Sequence, residues 1–380
     1  MDASDIAEWL RTSSRPAGKR GRRSILRFWD PDDYVRFLNA LRTNPSGAES
    51  GFPRGVRKLS LIRAISCWAG SRELPPSLAG RAYWEEDCRV RVSALPKGAI
   101  VTDKGIPWGV KHIQAPLAWS RTTGYRVKVG VIDTGVDFEH PDLHHSLERG
   151  INLLQRMTLP QDDNGHGTHI AGTIAAANEL QGMIGVAPRS TIYPIKAFDH
   201  NGSAYVSDII LGIEWCVRNQ IDVVNMSFGM KTRSKSLLNA VSTAYRAGTL
   251  IVASSGNDGR IGDIDYPARY GQTIAVGATN QKNRIASFTN RSGLVDVYAP
   301  GDRIVSAWLK GKHREMSGTS MATSHVTGAI ALLLAMKPEL KPDQIKALIQ
   351  SSATPLKNGK ALRTAGELNV VRLLKAAEQL

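Results

Sequence analysis

The amino-acid sequence predicts a doubly wound, mostly parallel α/β domain over residues 107–380, preceded by a smaller α+β domain. Short apolar runs without polar alternation recur after residue 107, and such runs are typical of strands buried on both faces of a sheet. Helical patterns separate these runs, and strands that alternate with helices favour a parallel sheet. The length of 380 residues suits two or three domains, and the 42% apolar and 22% charged content excludes a disordered chain.

The predicted elements of the larger domain follow one another at short intervals. Strands are predicted over residues 127–132, 191–198, 222–228, 250–253, 273–276 and 295–298. Helices are predicted over residues 166–178, 205–219, 235–247, 319–336, 342–352 and 368–380. Because sites in open α/β sheets form beyond the carboxyl ends of the strands, functional residues are expected in the segments that follow them.

The first part of the chain divides into an arm, a compact domain and a linker. Residues 1–23 are rich in arginine and predict a flexible basic arm, and residues 96–106 predict a linker. Between them, residues 24–95 predict a small α+β sandwich in which Asp30 and Pro31 start the first helix. Its strands are predicted over 24–29, 56–68 and 88–92, and its helices over 30–42 and 75–85.

The net charge of +15 does not by itself identify a nucleic-acid-binding protein. Residues 1–102 carry 18 basic and 11 acidic side chains, and residues 103–380 carry 31 and 23. Because the excess is spread over both parts, it predicts solubility and weak affinity for polyanions but no specific nucleic-acid partner. Every apolar run is shorter than the roughly 18 residues that cross a bilayer, so no membrane partner is expected. The protein is expected to be a monomer.

The N-terminal residues bear on the cellular compartment. Residues 1–23 hold three acidic and several basic side chains, but no apolar stretch like the central region of a secretory signal peptide. The sequence therefore predicts a cytoplasmic protein. Secretion is the alternative if the start codon has been assigned too late.

Asp133 stands at the carboxyl end of a predicted strand, and a glycine turn follows it within residues 131–137. In open α/β sheets, ligand sites form just beyond this end of the strands. A turn or N-cap aspartate explains the position when it is considered alone. A chemical role for Asp133 therefore depends on the other motifs of the chain.

His166 lies between two glycines where a helix is predicted to begin. Glycine on both sides leaves room for another chain to approach the imidazole ring. His169 follows one helical turn later, so a two-histidine metal site is a competing interpretation. Zincin helices place histidines at i and i+4 with a glutamate between them, and this segment has neither feature. Asp162 and Asp163 precede the motif and either hold a metal or, as we favour, solvate the loop.

Ser320 is predicted at the start of the apolar helix over residues 319–336. Backbone N–H groups at a helix N-terminus favour developing negative charge, although most serines at this place are only N-caps. Asn257 follows another buried strand, and its side-chain amide is suited to donate to an oxyanion. A turn asparagine before Asp258 and Gly259 is the alternative for that position.

Asp133, His166 and Ser320 together provide the parts of a nucleophilic hydrolase. A serine hydroxyl is a poor nucleophile near neutral pH and needs a positioned base. A neutral imidazole accepts its proton, and a carboxylate orients that ring and stabilises the imidazolium. In these three motifs, their order along the chain and the Asn257 segment, the sequence resembles the subtilisin-like serine proteases, or subtilases, over residues 103–380.

The resemblance implies a serine endopeptidase that cleaves polypeptide substrates through an acyl-enzyme intermediate and needs no cofactor for its chemistry. Asp133 would orient His166, and His166 would act as general base and then general acid. Ser320 would attack the scissile carbonyl, with Asn257 in the oxyanion hole. The implied substrate-binding residues are Gly202, Ser203, Ser227, Phe228, Gly229, Ser254 and Ser255. No charged residue is evident in these segments, so an apolar or broad preference is expected.

The resemblance also implies that residues 24–95 are a ferredoxin-like pro-domain, an intramolecular chaperone and inhibitor of the peptidase domain at 107–380. The protein would then be a zymogen that cleaves itself near residues 101–103. A slow-folding parallel sheet with non-local pairings gives such a helper a physical use. The alternative is a catalytically impaired relative that binds peptides or regulates other proteins.

Two departures from the family pattern bear on activity and on metal binding. Ser324 stands where the family usually has proline, and reduced activity is expected because proline stiffens the first helical turn. The calcium site of the family is partly kept, since Asp142 fits as a ligand and Glu179 stands where an asparagine is usual. Lys104 stands where a glutamine ligand is expected. A structural calcium ion and a lysine ammonium in its place therefore remain equal alternatives.

Overall fold

The computed structural model describes residues 22–42, 55–69, 74, 76–93, 100–101, 105–178, 182–356 and 365–380. The chain divides into two compact units. The first contains the chain up to Arg89 together with Tyr205–Glu214 and Ser234–Thr243, and the second contains the rest. The predicted basic arm lies outside the described residues except for Arg22 and Arg23, which already belong to a strand.

The first unit contains a four-stranded antiparallel sheet in the order β2-β3-β1-β4. Its strands are β1 (Arg22–Phe28), β2 (Arg57–Leu59), β3 (Ala64–Ala69) and β4 (Ala82–Glu86), and its helix α1 is Pro31–Arg42. Phe28 of β1, Phe37 of α1 and Ile65 of β3 lie in one buried apolar cluster. The helix therefore packs on one face of the sheet, as expected for a small α+β domain.

Three predicted elements of this part differ in the structure. The strand predicted over residues 56–68 forms as β2 and β3, separated by a 3₁₀ turn at Ser60–Ile62. The helix predicted over residues 75–85 is a single 3₁₀ turn at Pro76–Leu78, followed by β4. Gly80 leaves the turn with a φ of +72°, and the residues of β4 then pair along β1. The strand predicted at residues 88–92 forms as β5 (Arg89–Val92), but it belongs to a separate three-stranded sheet.

The remaining elements follow in chain order. The strands are β6 (Ile100–Val101), β7 (Lys128–Asp133), β8 (Ile151–Asn152), β9 (Thr191–Lys196), β10 (Ser203–Tyr205), β11 (Val223–Met226), β12 (Phe228–Gly229), β13 (Leu250–Ser254), β14 (Thr273–Thr279), β15 (Val297–Pro300), β16 (Ile304–Trp308) and β17 (Lys312–Met316). The helices are α2 (Trp108–His112), α3 (His166–Ala175), α4 (Val206–Arg218), α5 (Lys235–Arg246), α6 (Thr319–Met336), α7 (Pro342–Ser352) and α8 (Val370–Ala377).

Seven of these strands form a parallel sheet in the order β15-β14-β13-β11-β7-β9-β8. Strand β7 lies inside the sheet, with Val131 opposite Asn225 of β11 on one side and Pro194 of β9 on the other. The chain extends outward from β7 in both directions, which confirms the predicted doubly wound α/β fold. The carboxyl ends of these strands meet at one edge of the sheet.

Helix α6 is the core helix of the second unit. It packs against α3 and against strands β11, β13 and β14. Among the described residues it is the one helix long and apolar enough to cross a membrane, and 89% of it is buried inside the protein. Such burial is expected of a helix that is apolar on all sides and fills the core of a large domain.

The region predicted as a linker is partly a strand. Ile100 and Val101 form β6, which pairs with Arg314 and His313 of β17. Strands β16 and β17 form a hairpin that the sequence interpretation did not predict, and with β6 they make a three-stranded sheet in the order β16-β17-β6. Residues 96–99 and 102–104 of the predicted linker lie outside the described residues.

Candidate active site

Asp133 and His166 meet at the carboxyl edge of the parallel sheet. Asp133 is the last residue of β7, His166 is the first residue of α3, and both side chains are buried. Nδ1 of His166 lies 2.8 and 2.9 Å from the two carboxylate oxygens of Asp133. The Thr134 N–H also donates to Asp133, at 2.8 Å. This pairing keeps the imidazole proton on Nδ1 and leaves Nε2 as the basic nitrogen.

The glycines beside His166 allow close packing within the protein. They were predicted to leave room for another chain, but the space beside them is filled by the protein itself. A β-carbon on Gly165, which has a φ of +104°, would lie 2.4 Å from the ring of Trp308. A β-carbon on Gly167 would lie 2.1 Å from the carbonyl oxygen of Gly135. Glycine is therefore required on both sides of His166 because the neighbouring backbone and ring leave no space.

The other polar residues near His166 are bound by protein groups. Asp162 accepts hydrogen bonds from three backbone N–H groups at the start of α3 and therefore caps that helix. Asp163 pairs with Lys196 at 2.7 Å. Nε2 of His169 lies 3.1 Å from two backbone carbonyl oxygens. These contacts give Asp162 and Asp163 structural roles. The ring of His169 contacts the carbonyl groups of Ile304 and Arg314, away from His166.

Ser320 and Asn257 both contact the same backbone carbonyl. Oγ of Ser320, in the first turn of α6, lies 2.5 Å from the carbonyl oxygen of Ser93 and 3.0 Å from that of Ser227. The side-chain amide of Asn257 donates to the same Ser93 oxygen at 2.8 Å. Asn257 is itself held by Thr319, whose N–H and hydroxyl donate to Oδ1. The Ser93 carbonyl oxygen therefore lies between the Ser320 hydroxyl and the Asn257 side-chain amide.

Nε2 of His166 is buried and, among the described residues, has no hydrogen-bond partner. The hydroxyl of Ser320 donates to two carbonyl oxygens instead. A buried polar atom without a partner is uncommon and often marks a group that takes part in chemistry. In an Asp-His-Ser arrangement, this nitrogen is the one that accepts the serine proton.

A segment of the chain itself lies in the predicted substrate groove. The N–H of Val92 donates to the carbonyl of Gly202 at 3.1 Å, and the N–H of Ser93 donates to that of Ser227 at 3.1 Å. Strand β5 pairs antiparallel with β12, so that Val92 lies opposite Phe228. The segment is thus bound as an added strand between β10 and β12, which is an established mode of peptide recognition.

The remaining predicted groove residues line the same region. Gly229 continues the pairing of β12 with β5, and Ser203 begins β10. Ser254 and Ser255, at the end of β13, are fully buried. The hydroxyl of Ser254 donates to the carbonyl of Phe228 at 3.3 Å, which ties β13 to β12.

One residue that the sequence interpretation missed lies between these segments. Oδ2 of Asp265 is so close to Gly229 and Gly256 that β-carbons on these glycines would lie 2.6 and 2.4 Å from it. Burial raises the pKa of Asp265, and the nearby Arg260 guanidinium opposes that shift. Asp265 is distant in the chain from the substrate-binding residues that the resemblance implies, so no local pattern points to it.

Comparison with known proteins agrees with this geometry. The family model described as Subtilase family matches residues 124–367. The chain belongs to the subtilase family. It is 42% identical over 285 residues to an alkaline protease of Alkalihalobacillus alcalophilus, a match that covers 75% of this chain and 71% of that protein. It is 44% identical over 260 residues to subtilisin E of Bacillus subtilis (strain 168), covering 67% of this chain and 68% of that protein. It is also 44% identical over 258 residues to subtilisin of Bacillus pumilus, covering 67% and 93%.

Membership in the family makes this subtilase a serine-type endopeptidase. It also corrects the expected compartment. The cytoplasmic localisation predicted from residues 1–23 is wrong, because the subtilisins and alkaline proteases that it matches are secreted extracellular proteases. The charge and polarity of those first residues are therefore a poor guide to where the subtilase acts.

Ser324 is accommodated inside the helix of this subtilase. Its hydroxyl donates to the carbonyl of Met321 at 2.7 Å, one turn earlier in α6. The helix runs without interruption from Thr319 to Met336. A serine that returns its hydroxyl to the preceding turn satisfies the polar group in a buried position. The helix that carries Ser320 is therefore regular and hydrogen-bonded without proline at position 324.

Of the residues considered for a calcium site, the structure describes only Asp142. Glu179 and Lys104 lie outside the described residues. The carboxylate of Asp142 accepts the Asn178 amide at 2.9 Å, the Met183 N–H at 3.2 Å and Nε2 of His313 at 2.6 Å. Burial tends to raise the pKa of Asp142, but the hydrogen bonds from His313 and Asn178 bring it below its usual value. Calcium needs six to eight oxygen ligands, and the groups around this carboxylate are N–H donors.

Two fully buried histidines predict a loss of stability in acid. Burial lowers the pKa of His169 from 6.5 to about 3 and that of His325 from 6.5 to about 4. Because the folded-state pKa lies below the unfolded value, the stability that these neutral histidines contribute is complete above pH 6.5 and is lost as the pH falls toward 4. Each histidine is expected to cost roughly 2–3 kcal/mol of unfolding free energy by about pH 4.5.

Urea unfolding of the Ser320→Ala chain near pH 7 and near pH 4.5 measures this loss without self-digestion. In the same background, His325→Gln should lose clearly less stability on acidification because one titrating group is gone. The exposed His145 provides a matched control, and His145→Gln should keep the full loss. Equal losses of unfolding free energy in all three chains would contradict the assignment of this loss to the buried His325.

Proposed function

We propose that Asp133, His166 and Ser320 form a catalytic triad that hydrolyses peptide bonds in polypeptide substrates. Oγ of Ser320 attacks the carbonyl carbon and gives its proton to Nε2 of His166, whose imidazolium is stabilised by Asp133. The amide of Asn257 and the N–H of Ser320 bind the oxyanion. His166 then protonates the leaving amine, and a water molecule, deprotonated by His166, releases the acyl group from Ser320.

The observation that carries this proposal is the Ser93 carbonyl. Its oxygen lies 2.5 Å from Oγ of Ser320 and 2.8 Å from the amide nitrogen of Asn257. Ser93 and the residues before it are held as a strand by backbone hydrogen bonds on both sides. A peptide carbonyl held beside both the Ser320 hydroxyl and the Asn257 amide supports cleavage of the bond that follows it.

The same observation supports a zymogen that processes itself at the bond between Ser93 and Ala94. Oγ of Ser320 would form an ester with the Ser93 carbonyl, and the Ala94 amine would leave with the proton from His166. The processing site expected near residues 101–103 is replaced by this bond, since Val101 pairs with His313 in the sheet of β6 and β17. Residues up to Ser93 would then act as a pro-region whose last residues occupy the groove and inhibit the enzyme.

Labelling with a fluorophosphonate tests the triad directly. The purified chain is expected to react at one serine, located to Ser320 by peptide mass, and to hydrolyse casein. Ser320→Ala should show neither reaction. A wild-type chain that hydrolyses no protein and takes up no label would overturn the proposal and favour the impaired, peptide-binding alternative.

Replacement of Asn257 by alanine is expected to lower kcat by about 10²–10³-fold with little change in KM, a magnitude established for the corresponding asparagine of a subtilisin. The reason is that its amide contacts the carbonyl oxygen, where negative charge develops during the reaction. Steady-state kinetics on a peptide p-nitroanilide measure the effect. Asn219→Ala, at an exposed asparagine whose side-chain amide donates to the carbonyl of Trp215 in helix α4, is the matched control. A fall in kcat of less than about threefold would contradict the role of Asn257.

A further inference from the structure

Residues 227–229 and 254–256 are the two walls of the pocket implied for the substrate side chain, and a carboxylate lies between them. Oδ2 of Asp265 contacts both walls, because β-carbons on Gly229 and Gly256 would lie 2.6 and 2.4 Å from it. The N–H of Asp265 donates to the carbonyl of Ser255 at 2.9 Å. The backbone of Asp265 is therefore fixed to one wall while its side chain bridges to the other.

Arg260 holds this carboxylate in place and balances its charge. The guanidinium pairs with Oδ1 of Asp265, with Asp263 at 2.9 Å and with Asp258 at 3.3 Å. Only 10% of the Asp265 side chain is exposed. Three carboxylates bind the guanidinium of Arg260. Moving the guanidinium away from Asp265 would therefore break several charge-assisted hydrogen bonds. The carboxylate is already paired before a substrate side chain arrives.

We propose that the Asp265–Arg260 pair closes this pocket, so that the protease cleaves after small uncharged residues and rejects large or basic ones. The inference rests on the proposed function. Ser93, which occupies the position before the scissile bond, has a side chain of this kind. Val92 and Val90 precede it on the opposite face of the strand, and Val90 is buried. The preferred substrate is therefore an extended peptide with apolar residues two and four positions before the cleaved bond.

Peptide p-nitroanilides of the form succinyl-Val-Arg-Val-Xaa test this proposal. With Xaa as Ala or Ser, kcat/KM is expected to exceed the value for Phe or Lys by at least about tenfold. Asp265→Ala should open the pocket and raise the Phe-to-Ala ratio by about tenfold or more. Asp163→Asn changes a carboxylate that pairs with Lys196 and not with Arg260, so it should leave the ratio unchanged.

Two results would overturn the proposal. One is a wild-type enzyme that cleaves after Phe or Lys as fast as after Ala, and the other is an unchanged ratio in Asp265→Ala. If that variant does not mature, Arg260→Gln replaces it, and an increased rate after Lys is expected because Asp265 is then unpaired. Active enzyme is counted with a fluorophosphonate in every sample. An enzyme that is labelled normally but lacks the expected selectivity contradicts the pocket proposal, whereas an enzyme that takes up no label contradicts the triad.

Independently of the groove, we infer that His313 takes the place of a calcium ion beside Asp142. Nε2 of His313 lies 2.6 Å from Oδ2 of Asp142. The Asp142 side chain is 1% exposed, and a buried carboxylate needs a paired, hydrogen-bonded partner. Strand β17 presents His313 from a hairpin with β16, so the ring is positioned by regular structure.

His140 fixes this arrangement from the other side. Its Nδ1 accepts the Asp142 N–H at 3.1 Å, and its Nε2 lies 2.9 Å from the carbonyl of Lys312. The rings of His140 and His313 meet edge to face with centroids 5.7 Å apart. These three side chains have the composition of a transition-metal site, so zinc is the competing occupant. Both nitrogens of His140 are already hydrogen-bonded to the backbone, which disfavours zinc.

Thermal unfolding of the full-length Ser320→Ala chain at a fixed scan rate tests this second inference. The midpoint is expected to be the same in EDTA, in calcium and in zinc. His313→Ala should lower it by roughly 5 °C in all three solutions, and the exposed control His145→Ala should not. A midpoint that rises by several degrees with calcium or with zinc would overturn the inference, as would an unchanged midpoint in His313→Ala.

Discussion

Replacing Ser320 with alanine is expected to lower kcat by about 10⁶-fold, the size of the effect established for the triad serine of a subtilisin. The methyl group cannot form the ester, and the buried Nε2 of His166 then has no proton to accept. Hydrolysis of a peptide p-nitroanilide, with fluorophosphonate labelling as a count of active enzyme, measures the loss. No other serine hydroxyl contacts the Ser93 carbonyl among the described residues.

Ser324→Ala is the matched control for that experiment. Ser324 lies one turn further along the same buried helix, and its hydroxyl donates to the carbonyl of Met321. Its removal is expected to cost roughly 1 kcal/mol of stability and to leave the kinetic constants little changed. A large loss of activity in Ser324→Ala, or substantial activity in Ser320→Ala, would contradict the assignment of the nucleophile.

Asp133→Asn is expected to lower kcat by about 10⁴-fold while the chain still folds. Both carboxylate oxygens of Asp133 lie within 2.9 Å of Nδ1 of His166, and an asparagine amide would present a donor to that nitrogen. The ring would then take the other tautomer, with its proton on Nε2, and would no longer accept the proton of Ser320. The pH dependence of kcat/KM, together with circular dichroism, separates this effect from misfolding.

Asp163→Asn is the control for Asp133→Asn. Asp163 lies close to His166 in the chain but pairs with Lys196, and its side chain is 54% exposed. Lys196 is buried but keeps a second acceptor in the carbonyl of Thr134, so its ammonium stays hydrogen-bonded and activity should be nearly unchanged. The role of Asp133 would be contradicted if both variants kept comparable activity.

The sequence contained enough to predict the parallel sheet and the meeting of Asp133 with His166. Buried parallel strands have local patterns, and their carboxyl ends converge at one edge wherever the strands are placed. Asp133 ends β7 and His166 begins α3, so both positions follow from element boundaries alone. Local patterns were insufficient for the helix predicted at residues 75–85, because strand β4 forms through pairing with β1.

The occupant of the groove and the floor of its pocket could not be predicted in the same way. The position of Ser93 is set by backbone pairing with Gly202 and Ser227, which are distant in the chain. Asp265 reaches Gly229 and Gly256 only after the chain has folded. Both depend on long-range contacts that leave no periodic or motif-like signal in the sequence.

Intact-mass analysis of the purified wild-type chain beside Ser320→Ala tests the central claim most directly. The account predicts that the wild-type chain loses residues 1–93 and begins at Ala94, whereas Ser320→Ala keeps its full length. The claim would be contradicted if the wild-type chain also stayed full length, if its new N-terminus fell within residues 102–104, or if Ser320→Ala were cleaved at the same bond.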